Sequence, residues 1–382
     1  MQAIDYQERV RRLSQSLAEA KLDAYVGTRM ASLHYLVGAF IPWRGAVIVT
    51  SSGQVKLLYW ANDSERIREE GWGMEVIEFG GEAGFIEALA ADLQKSSLAS
   101  GRIGLDLFLT NTRQEAPGLL LAHEYLELKN LLPKAELVNG TSCIDELMVI
   151  KSPAEIERIR LAGHAADAGF YAGLAAVRPG TSENVVAGAI ENAMRMQGSI
   201  WAWSVTGGTE VGSGPRTAFL KGVTQQSTEK KIGKNEFVIL DIHPMVELYI
   251  VDLALTVFLG KPNGEHQKLM DCWQDTVDTL WSSLKPGNLV GELCKKAVRV
   301  FANHGFQDFG LPMFGHGLGT DARTRPFMNP KSQEVLKAGM VISIGTHLYK
   351  PGVGGARQEY PLLITETGAE SLSRHPAKIY PL

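Results

Sequence analysis

Asp241 and Asp252 stand eleven residues apart in Phe237–Gly260, FVILDIHPMVELYIVDLALTVFLG. Two β-rich runs, Phe237–Ile242 and Val251–Leu259, flank a turn that contains Pro244. Val, Ile, Leu and Phe dominate both runs, as strands of a buried sheet require. A carboxylate is costly to bury unless it is protonated, paired or bound to a cation. A hairpin over this spacing brings the two acids to one spot, as a metal site or an acid/base pair. The plainer alternative is two acids at strand ends, capping turns in water.

Three later features add to the pair. In Met313–Pro326, MFGHGLGTDARTRP, glycines at 315, 317 and 319 bracket His316 and permit close backbone approach around it. The setting lacks the strand-then-helix context of a dinucleotide loop. A Gly-rich stretch, GTHLYKPGVGGARQE, closes on Arg357 and Glu359, between strand-like runs at Gly339–Ile344 and Tyr360–Thr365. Asp241, Asp252, His316 and Glu359 are then three carboxylates and an imidazole from separate elements, an oxygen/nitrogen set suited to Mn, Fe, Co or Zn. Near the N-terminus, Pro42-Trp43-Arg44 interrupts two apolar stretches. A loop Trp beside an Arg reads as an anchor for an interface or a carboxylate, or as a Trp folded onto its own domain.

The elements that must hold these residues alternate along the chain. Tyr6, Val10, Leu13 and Leu17 recur at helical spacing behind Asp5, a helix-capping residue. Strands are expected at Asp23–Val26, Gly45–Thr50, Val55–Tyr59, Ile103–Leu107 and Ala135–Val138, helices at Glu82–Gln94 and Glu124–Leu132, and a hairpin at Ser51-Ser52-Gly53. This is an α/β pattern. Ser152-Pro153-Ala154-Glu155 forms a capping box ahead of a helix to Ala176. A domain boundary is placed just before it, within 139–150. A second helix, Ser182 to Met196, follows Arg178-Pro179-Gly180. The grammar returns at Glu265–Leu284, Lys285-Pro286-Gly287 and Val290–His304, which reads as an internal duplication.

The 382 residues carry 45% hydrophobic and 21% charged side chains with a net charge of −4, an ordinary globular composition in two domains. That charge gives no reason to expect nucleic acid or an anionic membrane as partner. Three scattered cysteines form no CxxC pair. The amphipathic start MQAIDYQERVRRL lacks an apolar signal core, and no apolar run reaches about 18 residues, so a cytoplasmic protein is expected.

The motifs LDAYV, YLVGAF, IKSPAEIERIRLAG, SGPRTAFLKG, LDIHPMVELYIVDLALTVFLG, GHGLGTDARTRP and GMVISIGTHLYKPGVGGARQEYPLLITETG carry a resemblance over nearly the whole chain. The chain resembles the creatinase/prolidase/methionine aminopeptidase superfamily, the pita-bread fold. The resemblance implies an N-terminal creatinase-like α/β domain over 1–140 and a duplicated pita-bread domain of α+β type over 141–382. It implies a dinuclear metal site of two Asp, one His and two Glu, with Asp241, Asp252, His316 and Glu359 on four of the five positions. The fifth, normally Glu, is Gly345 here. In the family that Glu and the His serve mainly one metal, the first Asp serves the other, and the second Asp and last Glu bridge both. His347, two residues on, is the candidate replacement.

Two further departures bear on activity. LKG in place of the family's PHG puts Lys221 at the proton-handling His, and RTRP in place of HExP puts Arg323 at the second His. Imidazoles titrate near neutrality, whereas exposed Lys and Arg do not. These departures argue against standard proline-peptide hydrolysis. Creatinase, by comparison, hydrolyses a small guanidino acid without metal, and its N-domain loop reaches into the partner subunit. Trp43 and Arg44 lie near that loop, which implies a homodimer with Arg44 near the neighbour's site.

The expectation is a hydrolase cleaving a C–N bond of a small amino-acid-derived substrate. Asp241, Asp252, His316 and Glu359 would hold one or two divalent ions. Lys221, Arg323 and Glu359 would be catalytic, and Trp43, Arg44, His347 and Arg357 would bind substrate. The alternatives are a metal-free creatinase-like or Lys221-based enzyme, and a non-catalytic peptidase-like binding module.

Overall fold

A computed structural model of the chain describes all residues except 82–83, 108–117, 203–207, 222–225 and 322, and only the backbone at 201–202 and 219–221. Contacts divide it into two units, Ala3–Met148, and Val149–Leu382 together with Met1–Gln2.

The first unit opens with α1 (Tyr6–Glu19), whose N-cap Asp5 accepts a hydrogen bond from the Glu8 N–H. Then follow β1 (Ala24–Gly27), α2 (Met30–Val37), β2 (Gly45–Thr50), β3 (Val55–Trp60), α3 (Ser64–Glu70), β4 (Glu75–Phe79), α4 (Phe85–Lys95), β5 (Arg102–Leu105), α5 (Ala122–Leu131), β6 (Glu136–Asn139) and α6 (Thr141–Val149). The strands form one sheet in the order β4-β3-β2-β1-β5-β6. Successive strand residues point to opposite faces, and two cores result. Tyr25, Val47, Val49, Leu57 and Tyr59 pack with Val10, Leu13 and Leu17 of α1. Ala24, Val26, Ala46, Ile48 and Leu58 pack with Ile86, Leu89 and Leu93 of α4.

The second unit opens with α7 (Pro153–Ala176), capped by the reciprocal Ser152/Glu155 box. It continues through α8 (Glu183–Met196), β7 (Trp201–Ala202), β8 (Glu210–Ser213), β9 (Glu236–Ile242), β10 (Pro244–Val246), β11 (Tyr249–Ile250) and β12 (Leu253–Leu259). A second helix pair, α9 (Gly264–Trp281) and α10 (Val290–Asn303), precedes β13 (Gly315–Gly317), β14 (Thr324–Phe327), β15 (Val341–Lys350), β16 (Gly354–Ile364), β17 (Ala369–Ser371) and β18 (Tyr380–Pro381). Helix pair followed by strands thus occurs twice. The main sheet runs β14-β13-β15-β16-β12-β9-β8, with β17 on β16 and β18 on β12.

The Gly-rich stretch between the last two expected strands is not a loop. β15 and β16 pair without a break from Val341↔Leu363 to Lys350↔Gly354, turning only at Pro351–Val353. Gly345, His347, Arg357 and Glu359 are therefore strand residues with fixed facing. Among the described residues no helix is long and apolar enough to cross a membrane.

Candidate metal centre

One row across the main sheet carries the site. Glu210 of β8 pairs with Asp241 of β9, Asp241 with Ala254 of β12, Ala254 with Glu359 of β16, and Glu359 with Gly345 of β15. Directly opposed residues of antiparallel strands share a face. Asp241 and Glu359 thus sit two strands apart, roughly 10 Å at ordinary strand spacing, with only the Ala254 methyl between them. The period of two brings the remaining groups to the same face. His243 lies two residues beyond Asp241, and Asp252 two residues before Ala254. His316 joins that side through the pairs His316↔Ser343 and Ser343↔Pro361. On the other side of the row lie Arg357 and His347, themselves a cross-strand pair.

The side chains close on one another. His243 Nε2 is 3.2 Å from Asp241 Oδ1 and 3.2 Å from Asp252 Oδ1. Asp252 Oδ2 is 3.3 Å from His316 Nε2. Arg357 Nη1 lies 2.8 Å from Asp241 Oδ2 and 3.5 Å from Glu210 Oε2, while its Nη2 lies 3.6 Å from Glu359 Oε1. His347 Nε2 is 2.8 Å from Glu359 Oε1, and its Nδ1 is 3.2 Å from the Met313 carbonyl. Every one of these side chains belongs to a residue at most 4% exposed.

Four buried carboxylates face one guanidinium, so the cluster is short of positive charge. Burial pushes Asp241 up to about 8; Arg357 and His243 oppose the rise, and the charges of Glu359 and Asp252 add to it. Burial alone would lower His243, but Asp241 and Asp252 outweigh it and lift the imidazole to about 9. Burial would raise Asp252, yet His243 holds it well below the usual carboxylate range.

The donors also fit a metal ion. Asp241 Oδ1, Asp252 Oδ1 and Glu359 Oε2 make no hydrogen bond, a state that buried oxygens rarely keep. One donor atom each from Asp241, His243, Asp252 and Glu359 lies within 4.8 Å of the others. Carboxylate oxygens with an imidazole suit a divalent ion of the Mn, Fe, Co or Zn type.

The expected site residues divide accordingly. Asp241, Asp252, His316 and Glu359 come together. Arg357 and His347, expected to meet substrate, are instead committed to the acids. Arg323 donates its backbone N–H to Asp321 Oδ1, while its buried Nε has no hydrogen-bond partner among the described residues. Lys221 ends the 3-10 helix Gly214–Lys221, and its side chain lies outside the described residues. In the first unit, Trp43 is 53% exposed with its ring edge-on to Trp60 at 5.1 Å. Arg44 pairs with Glu124 and donates to the Gly118 carbonyl at 2.9 Å.

Sequence reasoning missed His243 and Glu210. His243 falls in the expected turn that contains Pro244, although the alternation Asp241-Ile242-His243 puts it on the acid's face. Nothing local marks Glu210, because its role comes from its register opposite Asp241. A side chain at 345 would force β15 and β16 to shift: a Cβ there would meet the Gln358 carbonyl oxygen at 1.8 Å.

Comparison with known proteins identifies the family and the fold. The profile of Metallopeptidase family M24 matches residues 157–366, and that of the Creatinase/Prolidase N-terminal domain matches residues 9–150. The Xaa-Pro dipeptidase of Pyrococcus horikoshii is 26% identical over 370 residues, 96% of this chain and 97% of that protein. The Xaa-Pro dipeptidase of Pyrococcus furiosus is 31% identical over 231 residues, 60% of this chain and 65% of that protein. Among solved structures, the prolidase of Thermococcus sibiricus superposes with a TM-score of 0.88 at 21% identity, covering 100% of both chains, which speaks to fold. With both profiles in tandem, the chain belongs to metallopeptidase family M24 of the creatinase/prolidase pita-bread superfamily, with a creatinase-type N-terminal domain.

Proposed function

We propose that this protein is a hydrolase of the prolidase/creatinase type that cleaves a C–N bond in a small amino-acid-derived substrate. The observation that carries the proposal is the set of buried carboxylate oxygens of Asp241, Asp252 and Glu359, unbonded and close enough to share one cation. A divalent ion held there supplies Lewis acidity, activating water and polarising the carbonyl or amidine under attack.

The chain's own groups do the rest. Arg357 holds the Asp241 carboxylate from behind, and His347 holds that of Glu359. Orienting partners of this kind tune the groups they hold. Glu359, beside the reacting centre, is the acid placed to pass a proton, and His316, 3.3 Å from Asp252, is the imidazole assigned to serve the leaving amine. Arg323, with its buried Nε unpartnered, supplies a cation for the substrate's carboxylate. Lys221 follows by resemblance as a second proton-handling group. The related Xaa-Pro dipeptidases support peptidase chemistry, while Lys221 and Arg323, in place of the family's histidines, favour a substrate other than a standard proline dipeptide. The same reading carries a homodimer, with Trp43 and Arg44 facing the neighbouring subunit.

The test is amine or ammonia release from a panel of Xaa-Pro and other dipeptides, N-acyl amino acids and guanidino acids, with metal-supplemented protein. Turnover of at least one class is expected, reduced at least about 100-fold in Asp252→Asn. Turnover that Asp252→Asn leaves unchanged, or none across the panel, would count against the proposal.

A further inference from the structure

We infer that this centre is built for a single divalent ion, with His243 Nε2 as its fourth ligand. The inference rests on the proposed metal-dependent reading and deepens it. Each of the three central carboxylates is divided in the same way. Asp241 gives Oδ2 to Arg357 at 2.8 Å and leaves Oδ1. Glu359 gives Oε1 to His347 at 2.8 Å and leaves Oε2. Asp252 turns Oδ2 to His316 at 3.3 Å and leaves Oδ1. The three remaining oxygens make no hydrogen bond, Asp241 Oδ2 and Asp252 Oδ2 meet their partners as close charge contacts rather than hydrogen bonds, and His243 Nε2 stands 3.2 Å from both Asp241 Oδ1 and Asp252 Oδ1.

Four oxygen or nitrogen donors about 2.1 Å from a common ion lie at most about 4.2 Å from one another. One donor atom from each of Asp241, His243, Asp252 and Glu359 already lies within 4.8 Å of the others, so a contraction of about 0.6 Å brings the set into that range. His316 and His347 lie outside this group among the described residues. Each instead stands beside the outer oxygen of a carboxylate. A second ion would have to break the His347–Glu359 pair. It would gain nothing from position 345, where a side chain would meet the Gln358 carbonyl. Glu210, opposite Asp241 and 3.5 Å from Arg357 Nη1, is not among the donors that lie within 4.8 Å of one another.

His243 therefore has a definite task. In the metal-depleted protein its Nε2 faces two carboxylates, and in the loaded protein the same nitrogen ligates the ion. His347 is a positioning residue: it acts on the ion only by holding Glu359.

The experiment is a titration of metal-depleted protein with Co2+, followed by visible absorption, with the bound count read by elemental mass spectrometry after gel filtration. One equivalent per chain is expected to saturate the Co2+ absorption. Loaded with Mn2+, the protein should give the electron paramagnetic resonance of an isolated ion, without spin coupling. His243→Gln should weaken Co2+ binding by more than about 100-fold and change the absorption band, whereas His347→Gln should weaken it by about 10- to 100-fold with the count still one. Circular dichroism of both variants checks that they fold. Two equivalents per chain, a spin-coupled Mn2+ signal, or His243→Gln binding Co2+ as tightly as wild type would overturn the inference, and so would no binding at all. One tightly bound ion with no turnover across the substrate panel would leave this inference standing and remove the hydrolase reading.

Discussion

Asp241, Asp252 and Glu359 were legible as candidates because a charge in a Val/Ile/Leu-rich strand is costly unless something answers it. What answers it was less legible. His243, Arg357 and His347 owe their roles to the period of two along β9, β15 and β16, and Glu210 owes its role to register alone. Arg357 is the guanidinium that Asp241, Glu210 and Glu359 share. Removing one partner of a buried ion pair leaves uncompensated charge and costs about 3–5 kcal/mol. Arg357→Met, in metal-depleted protein, should lose stability of that order in urea unfolding at neutral pH. A loss below about 1 kcal/mol would mean that the acids are neutralised some other way.

At the scale of elements, the signals that survived were those with local mechanisms. The Ser152/Glu155 box starts α7, and the Ser51-Ser52-Gly53 turn joins β2 to β3. α2 escaped because Ala31 through Val37 are all buried, so its sequence has no polar face to give a helical period. The β15/β16 hairpin escaped because its glycines read as loop. In the structure they allow strands to approach, and Gly345→Ala tests this. With a Cβ 1.8 Å from the Gln358 oxygen, the variant should lose at least about 1–3 kcal/mol in urea unfolding, and unchanged stability would contradict the strand pairing described.

Lys151, at the mouth of α7, gives a pH prediction. Burial lowers its ammonium from the usual 10.5 to about 8, against the pull of Glu155, while Nζ donates to the Val149 carbonyl at 3.2 Å. Between those two values the unfolded chain holds more protons than the folded one, so stability rises with pH. The contribution is complete above about 10.5 and lost as pH falls to about 8, at up to about 1.4 kcal/mol per pH unit. Melting curves from pH 8 to 10 should show this slope in the wild type relative to Lys151→Met. Parallel curves would show that Lys151 keeps its ordinary value.

At the scale of the molecule, the tandem of an α/β unit and a helix-pair-plus-strands unit repeated twice was legible from motif order. Its family is shown by the two matching profiles. The proposed homodimer predicts a sedimentation mass near twice 41.7 kDa, and a single-chain mass at micromolar concentration would remove Trp43 and Arg44 from the proposed site. Above all, the account holds that Asp241, Asp252 and Glu359 exist to bind one divalent ion. Anomalous diffraction from crystals of the metal-loaded protein tests this most directly. One peak is predicted, within bonding distance of Asp241 Oδ1, Asp252 Oδ1, Glu359 Oε2 and His243 Nε2. Two peaks, or none at full loading, would contradict it.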